Sequence, residues 1–137
     1  MTAPGDVDDE VLAALRAIVR TLPETTEEPA WVGVRWKVRN RTFGHVLTID
    51  GGRPASHARA AGTDGPATVL TFRSEGEELE VLRRSGPPYF FGGWGRDVVG
   101  IVLDGSTAWD EIAELLTESY CAMAPKKLAE AVVRPGG

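Results

Sequence analysis

The even positions Val32, Val34, Trp36 and Val38 are apolar, whereas Arg35, Lys37 and Arg39 occupy odd ones. A period of two sends the two sets to opposite faces of a β-strand, one requiring a core and the other carrying charge. A second run follows from Phe43 to Ile49, and a reversal at Asn40-Arg41 predicts an antiparallel hairpin. In that register Val38 meets Phe43, Trp36 meets His45, Val34 meets Leu47 and Val32 meets Ile49. It turns His45 inward as a neutral structural imidazole. It also sets Gly44 opposite Lys37 on the charged face, where a ligand's backbone could approach closely.

The remaining elements are placed around this hairpin. Asp6 to Asp9 supply caps and dipole-compatible acids for a first helix, whose Val11, Leu12, Leu15, Ile18, Val19 and Leu22 recur at helical spacing before Leu22-Pro23 ends it. Glu24 to Pro29 reads as an acidic connector, and Asp50 to Pro66 as a long irregular stretch expected to hold some extra strand. Ala67 to Arg73 reads as a third strand, Glu75 to Arg84 as a short helix stopped by Gly86-Pro87-Pro88, and Asp97 to Leu103 as a buried strand. Thr107, with Asp110 three residues on, resembles a capping box for a helix bearing Trp109, Ile112, Ala113, Leu116, Tyr120 and Met123 as its stripe. Pro125 starts a last helix, Lys126 to Val133, before a fraying Arg-Pro-Gly-Gly tail. Helices at both ends of a run of strands predict an α+β fold: an antiparallel β-sheet covered on one face by N- and C-terminal helices, the other face meeting solvent.

The 137 residues, 42% hydrophobic, suit a single domain with an ordered core over about residues 6–133. The formal charge of -5 opposes indiscriminate coating of nucleic acid, which is driven by phosphate neutralisation. That total hides a partition: residues 1–30 hold seven acids and two bases, residues 31–60 one acid and six bases, and the rest twelve acids and seven bases. Cys121, the only cysteine, excludes an internal disulfide and a cysteine-based metal cage. No segment reaches the length needed to span a bilayer and the first ten residues lack a secretory pattern, so a cytoplasmic protein is expected, with no membrane partner.

Arg35, Lys37 and Arg39, with Arg41 at the turn and Arg73 extending the face, could meet successive phosphates of DNA in weak, salt-dependent binding; the alternative is a solvated strand face. Tyr89, Trp94 and Arg96, among Phe90, Phe91 and three glycines, suit stacking on an aromatic small molecule, or anchoring of a loop. His57 lies near Arg53 and Arg59 without a ligand set, so no metal or cofactor is predicted. Ser119, Tyr120 and Cys121 sit late in a helix without the turn that exposes a nucleophile, and no phosphate loop or dinucleotide fingerprint occurs, so no enzymatic activity is expected. The acids Asp6, Asp8, Asp9 and Glu10 are accounted for by the helix dipole.

Leu22-Pro23-Glu24, the hairpin "WKVRNRTFGHV" and the segment "WDEIAELLTESYCAMAPKKL", with Ser119, Tyr120, Lys126 and Lys127, together resemble the MmcQ/YjbR-like family of small bacterial proteins. The resemblance covers most of the chain. It implies a CyaY/frataxin-like fold and a DNA-binding role, the latter an analogy from fold rather than from a site. Where that family often has a His- and Lys-containing stretch before a Trp, this chain has "YFFGGWGRDVVGIVL", so no role of those residues transfers. The resulting expectation is a non-enzymatic DNA-binding protein, with a small-molecule binder around Trp94 or a protein-interaction module as alternatives.

Overall fold

The structure is a computed structural model that describes residues 7–134; Asp6 and the end of the tail, Pro135 to Gly137, lie outside the described residues. Helix α1 (Asp9–Val19) starts where the Asp8 side chain accepts from the Glu10 N–H at 2.8 Å, with Asp9 and Glu10 in the first turn. Its buried stripe holds Leu15 and Val19. Strands β1 (Thr25–Pro29), β2 (Val34–Val38) and β3 (Arg41–Ile49) follow, then α2 (Ala55–Ala61), β4 (Ala67–Arg73), α3 (Gly76–Ser85), β5 (Tyr89–Phe90), β6 (Val98–Leu103), α4 (Trp109–Met123) and α5 (Lys126–Glu130). The six strands form one open sheet in the order β1-β2-β3-β4-β6-β5, every pairing antiparallel. The fold is α+β, as the helix and strand patterns imply.

The main core lies between the sheet and α1, α3 and α4. Trp36, Val38, Phe43, Val46, Leu70, Phe72 and Val99 from the strands meet Leu15, Leu82, Ile112, Leu116 and Tyr120 from the helices. Two hydroxyls of α4 fasten it to the sheet and to the segment between α1 and β1. Ser119 Oγ donates to the Phe43 carbonyl at 2.6 Å and accepts the Arg73 N–H at 2.7 Å, while Tyr120 Oη donates to the Pro23 carbonyl at 2.7 Å. Both residues are buried, so these hydroxyls serve structure.

Several expectations are corrected. Glu24 to Pro29 is largely an edge strand, with Glu27 opposite Trp36 and Glu28 opposite Arg35. Its sequence, TTEEP, buries too little to show alternation. The hairpin turns at Arg39-Asn40, both at positive φ (48° and 67°), so Val38 pairs with Arg41 rather than Phe43. That pair of left-handed residues is what a tight two-residue hairpin requires, and Asn tolerates it. A bulge between Trp36 and Lys37 then pairs Trp36 with Gly44, Arg35 with His45 and Val34 with Val46. His45 therefore lies on the face opposite the main core, and Gly44 faces α4, where a Cβ would stand 3.0 Å from Leu116 Cδ1.

The stretch from Asp50 to Pro66 holds α2 in place of a strand, apart from one isolated bridge between Asp50 and Arg53. This helix adds cover to part of the second face, where Leu47, Ile49, Val69, Ala58 and Phe90 make a smaller core. Thr107 does not cap α4; the N-cap is Ala108, and Thr107 Oγ1 accepts the Asp104 N–H at 2.7 Å. The last helix ends at Glu130 instead of Val133.

Candidate functional site

Where α2 and the Trp94 loop leave it uncovered, the second face of the sheet is polar across β1 to β4, with Arg35, Lys37, His45 and Arg73 half-buried and Thr71 buried. The strand pleat brings Arg35, Lys37, His45, Thr71 and Arg73 to it. Edge strand β1 delivers carboxylates to the same region. Arg35 Nε donates to Glu28 Oε1 at 2.6 Å, and Lys37 Nζ reaches the same oxygen at 3.3 Å. These two cations hold the Glu28 carboxyl below the ordinary range. Lys37 is more enclosed than a free surface lysine, its side chain 17% exposed. Arg39 belongs to the turn rather than to the strand stripe and pairs with Glu24 at 3.1 Å; Arg73 pairs with Asp97 at 2.9 Å. Arg41 is exposed at the hairpin end and has no ion pair among the described residues. The predicted stripe of free bases is thus a network in which Glu28 is shared by two cations.

The three predicted ligand residues are not brought together. Tyr89 and Phe90 are neighbours on a strand and point to opposite faces: Tyr89 packs on the main core and Phe90 sits in the smaller one. Tyr89 donates its phenol proton to Glu111 at the mouth of a cleft of about 600 Å³ beside Pro87, Pro88 and Thr107. Burial, then the bond to Glu111, raises its pKa. Trp94 lies on the other face. His57 stacks on it with ring centroids 4.5 Å apart, Phe90 meets it edge-on, and a Cβ on Gly92 would stand 2.3 Å from its Cζ2 and Cη2. The indole is half-buried, with His57 stacked on its ring and Phe90 at its edge, and it anchors its loop. Arg96 is exposed, and its backbone carbonyl accepts from Arg83 Nη2 at 2.5 Å.

Between these parts opens a cleft of about 230 Å³, lined by Thr42, His45, His57, Thr71, Arg73 and Trp94. His45 Nε2 lies 2.6 Å from the Val32 carbonyl; a carbonyl only accepts, so Nε2 carries the proton. The two imidazoles are 6.3 Å apart, edge to face. Burial lowers the pKa of both; the Val32 bond partly offsets this for His45, which Arg35 lowers further, and His45 adds to the depression of His57. Among the described residues no three His, Cys, Asp or Glu side chains gather as a metal ion would require.

The histidine pair predicts an acid sensitivity. In the unfolded chain each imidazole gains its proton near the ordinary value of about 6.5, whereas the folded protein resists protonation until lower pH. Between those values the unfolded state holds more protons, so the stability contribution is intact above about pH 6.5 and lost as pH falls. Thermal unfolding at about pH 7.5 and about pH 5 should show a Tm decline that His45→Gln/His57→Gln reduces; an equal decline in both proteins would refute this.

Sequence reasoning passed over β1, whose acids decide the charge of the face, and Trp31, which stands 95% exposed between β1 and β2. The signal for Trp31 was an indole in an Ala-Trp-Val-Gly turn, outside the alternation that defines β2. No helix among the described residues is long and apolar enough to cross a membrane. No curated protein matches the chain. Matched over residues 20–122, a span that takes in all six strands and α4 as far as Ala122, the chain belongs to the YjbR family.

Proposed function

We propose that this protein binds DNA weakly, without catalysis, through the open face of its sheet. The observation that carries this reading is the shared carboxylate: Arg35 and Lys37 converge on Glu28, so one positive charge on β2 has no counter-charge of its own. Arg41 adds a second at the hairpin end. Arg39 and Arg73 contribute less than their sequence positions suggest, since Glu24 and Asp97 already hold them. So few phosphate contacts imply modest affinity that declines with salt and reads little sequence.

Fluorescence anisotropy of labelled single-stranded and duplex DNA across a salt series tests this. Arg35→Glu/Lys37→Glu/Arg39→Glu should abolish binding. Glu28→Gln should do the reverse, releasing both cations and steepening the log–log salt slope by about 1, the value for one added phosphate contact. Absence of DNA binding by the unmodified protein at low salt would overturn the proposal, as would a Glu28→Gln variant no tighter than the unmodified protein.

A further inference from the structure

Trp31 is the most exposed large apolar side chain of the described residues. It does not dangle. Gly33, two residues on, has φ +74°, and its Cα packs so closely on β3 that a Cβ would lie 1.9 Å from the Val46 carbonyl oxygen. Ala30 N–H closes the turn on the Gly33 carbonyl at 3.0 Å, and His45 Nε2 donates to the Val32 carbonyl beside it. The chain therefore holds an indole in water on a turn pinned from both sides.

Next to the indole is a shallow hollow of about 520 Å³ formed with Val32, Arg53, Pro54, Ala55 and Ser56. No carboxylate lines it. Arg53 on its rim and Arg59 further along α2 are exposed and have no ion pair among the described residues, and α2, ASHARAA, carries no acid. The hollow continues the open face, since Val32 and α2 pack on the same smaller core and His45, beside Arg35, touches the Val32 carbonyl.

We infer that Trp31 is a stacking platform for an unpaired nucleobase, with Arg53 and Arg59 meeting the adjoining phosphates, so that the DNA bound on this face is single-stranded. This rests on the proposed DNA binding and specifies its form. A planar indole offers its ring to any base, whereas the bases of a duplex are already stacked on one another. Unpaired guanidiniums beside an aromatic fit a polyanion with planar groups. A lone exposed ring is also a smaller apolar area than a lipid surface or a protein partner's core would cover.

The test is anisotropy with a labelled oligothymidylate of about 12 nucleotides and a duplex of equal length, using the full chain and its Trp31→Ala, Trp31→Phe and Arg53→Ala variants. Because Trp31 is exposed, its replacement leaves the core intact. The expected result is tighter binding of the single strand. Trp31→Ala should weaken that binding at least about fivefold, Trp31→Phe should retain most of it, and duplex binding should be unchanged. Arg53→Ala should lower the single-strand salt slope by about 0.7, the value for one lost phosphate contact. If Trp31→Ala binds the single strand as well as the unmodified protein while the Arg35/Lys37/Arg39 variant does not, the inference falls and the DNA reading stands. If neither DNA binds at low salt, both fall. Trp31-dependent binding of polyglutamate or phosphatidylserine vesicles in place of the single strand would also overturn it.

Discussion

Trp36→Ala is expected to destabilise the fold by about 3–5 kcal/mol, the range for removing a large aromatic from a packed core. Trp36 is 1% exposed and reaches the centre of the main core, beside Gly44 and Leu116. Its replacement leaves a void that neither neighbour can fill without moving strand or helix. The indole also has a polar duty: Nε1 donates to Glu27 Oε1 at 2.9 Å, and Arg16 grips the same carboxylate through Nε and Nη2 at 2.9 and 2.8 Å. These bonds, the Arg16 bond foremost, hold the Glu27 carboxyl below its usual range despite partial burial. Trp36 thereby joins β2, β1 and α1 at one point. Urea unfolding should show a lower midpoint with an unchanged m-value, and Trp36→Phe should recover most of the loss. A Trp36→Ala variant within about 1 kcal/mol of the unmodified protein would refute this account of the core.

Gly33→Ala is expected to cost about 2–4 kcal/mol, combining left-handed backbone strain with forced displacement of neighbouring backbone. The obstacle is no flexible side chain. It is the Val46 carbonyl at 1.9 Å and the Leu47 Cα at 2.9 Å, both fixed in the β3 ladder. To admit a methyl group, either the turn lifts from the sheet or the Val34–Val46 pairing opens. Lifting the turn would also move Trp31, so the variant should be less stable and, at temperatures where it remains folded, weaker for single-stranded DNA. Unmodified stability in Gly33→Ala would show that the turn is looser than its geometry indicates.

The elements that carry their own burial were legible in the sequence. Alternation around Trp36 gave β2 its faces, Ala67 to Arg73 emerged as β4, and the stripe from Trp109 to Met123 as α4. What escaped depended on tertiary context. Thr25 to Pro29 has no apolar alternation because it is an edge strand, exposed along most of its length, that borrows its order from β2. The seven residues of α2 are too few and too alanine-rich to declare a face, yet they cover Leu47, Ile49 and Val69. The bulge in β3 shows the limit of pattern reading most directly. Phe43 is the residue without a partner on β2, and one extra residue was enough to move His45 from the core to the open face.

The candidate site was misread for a related reason. Charge grouped along the chain is not charge grouped in space: the acidic first segment folds β1 beside the basic second, and Glu28 arrives opposite Arg35. Of the predicted bases Arg41 alone stays unpaired among the described residues, while the exposed Arg53, read in the sequence only as a neighbour of His57, lines the hollow beside Trp31.

Strand β1 has one more consequence, for the behaviour of many copies in solution. It is an outermost strand of the sheet, with backbone groups on one side that no other strand among the described residues satisfies. Such an edge is a template on which further chains can add and aggregate, and charge and proline are common defences against this. Glu27, Glu28 and Pro29 supply both. A substitution that frees Arg35 and Lys37 by neutralising Glu28 therefore removes part of the chain's protection against edge-to-edge growth, so tighter DNA binding and long-term solubility pull this strand in opposite directions.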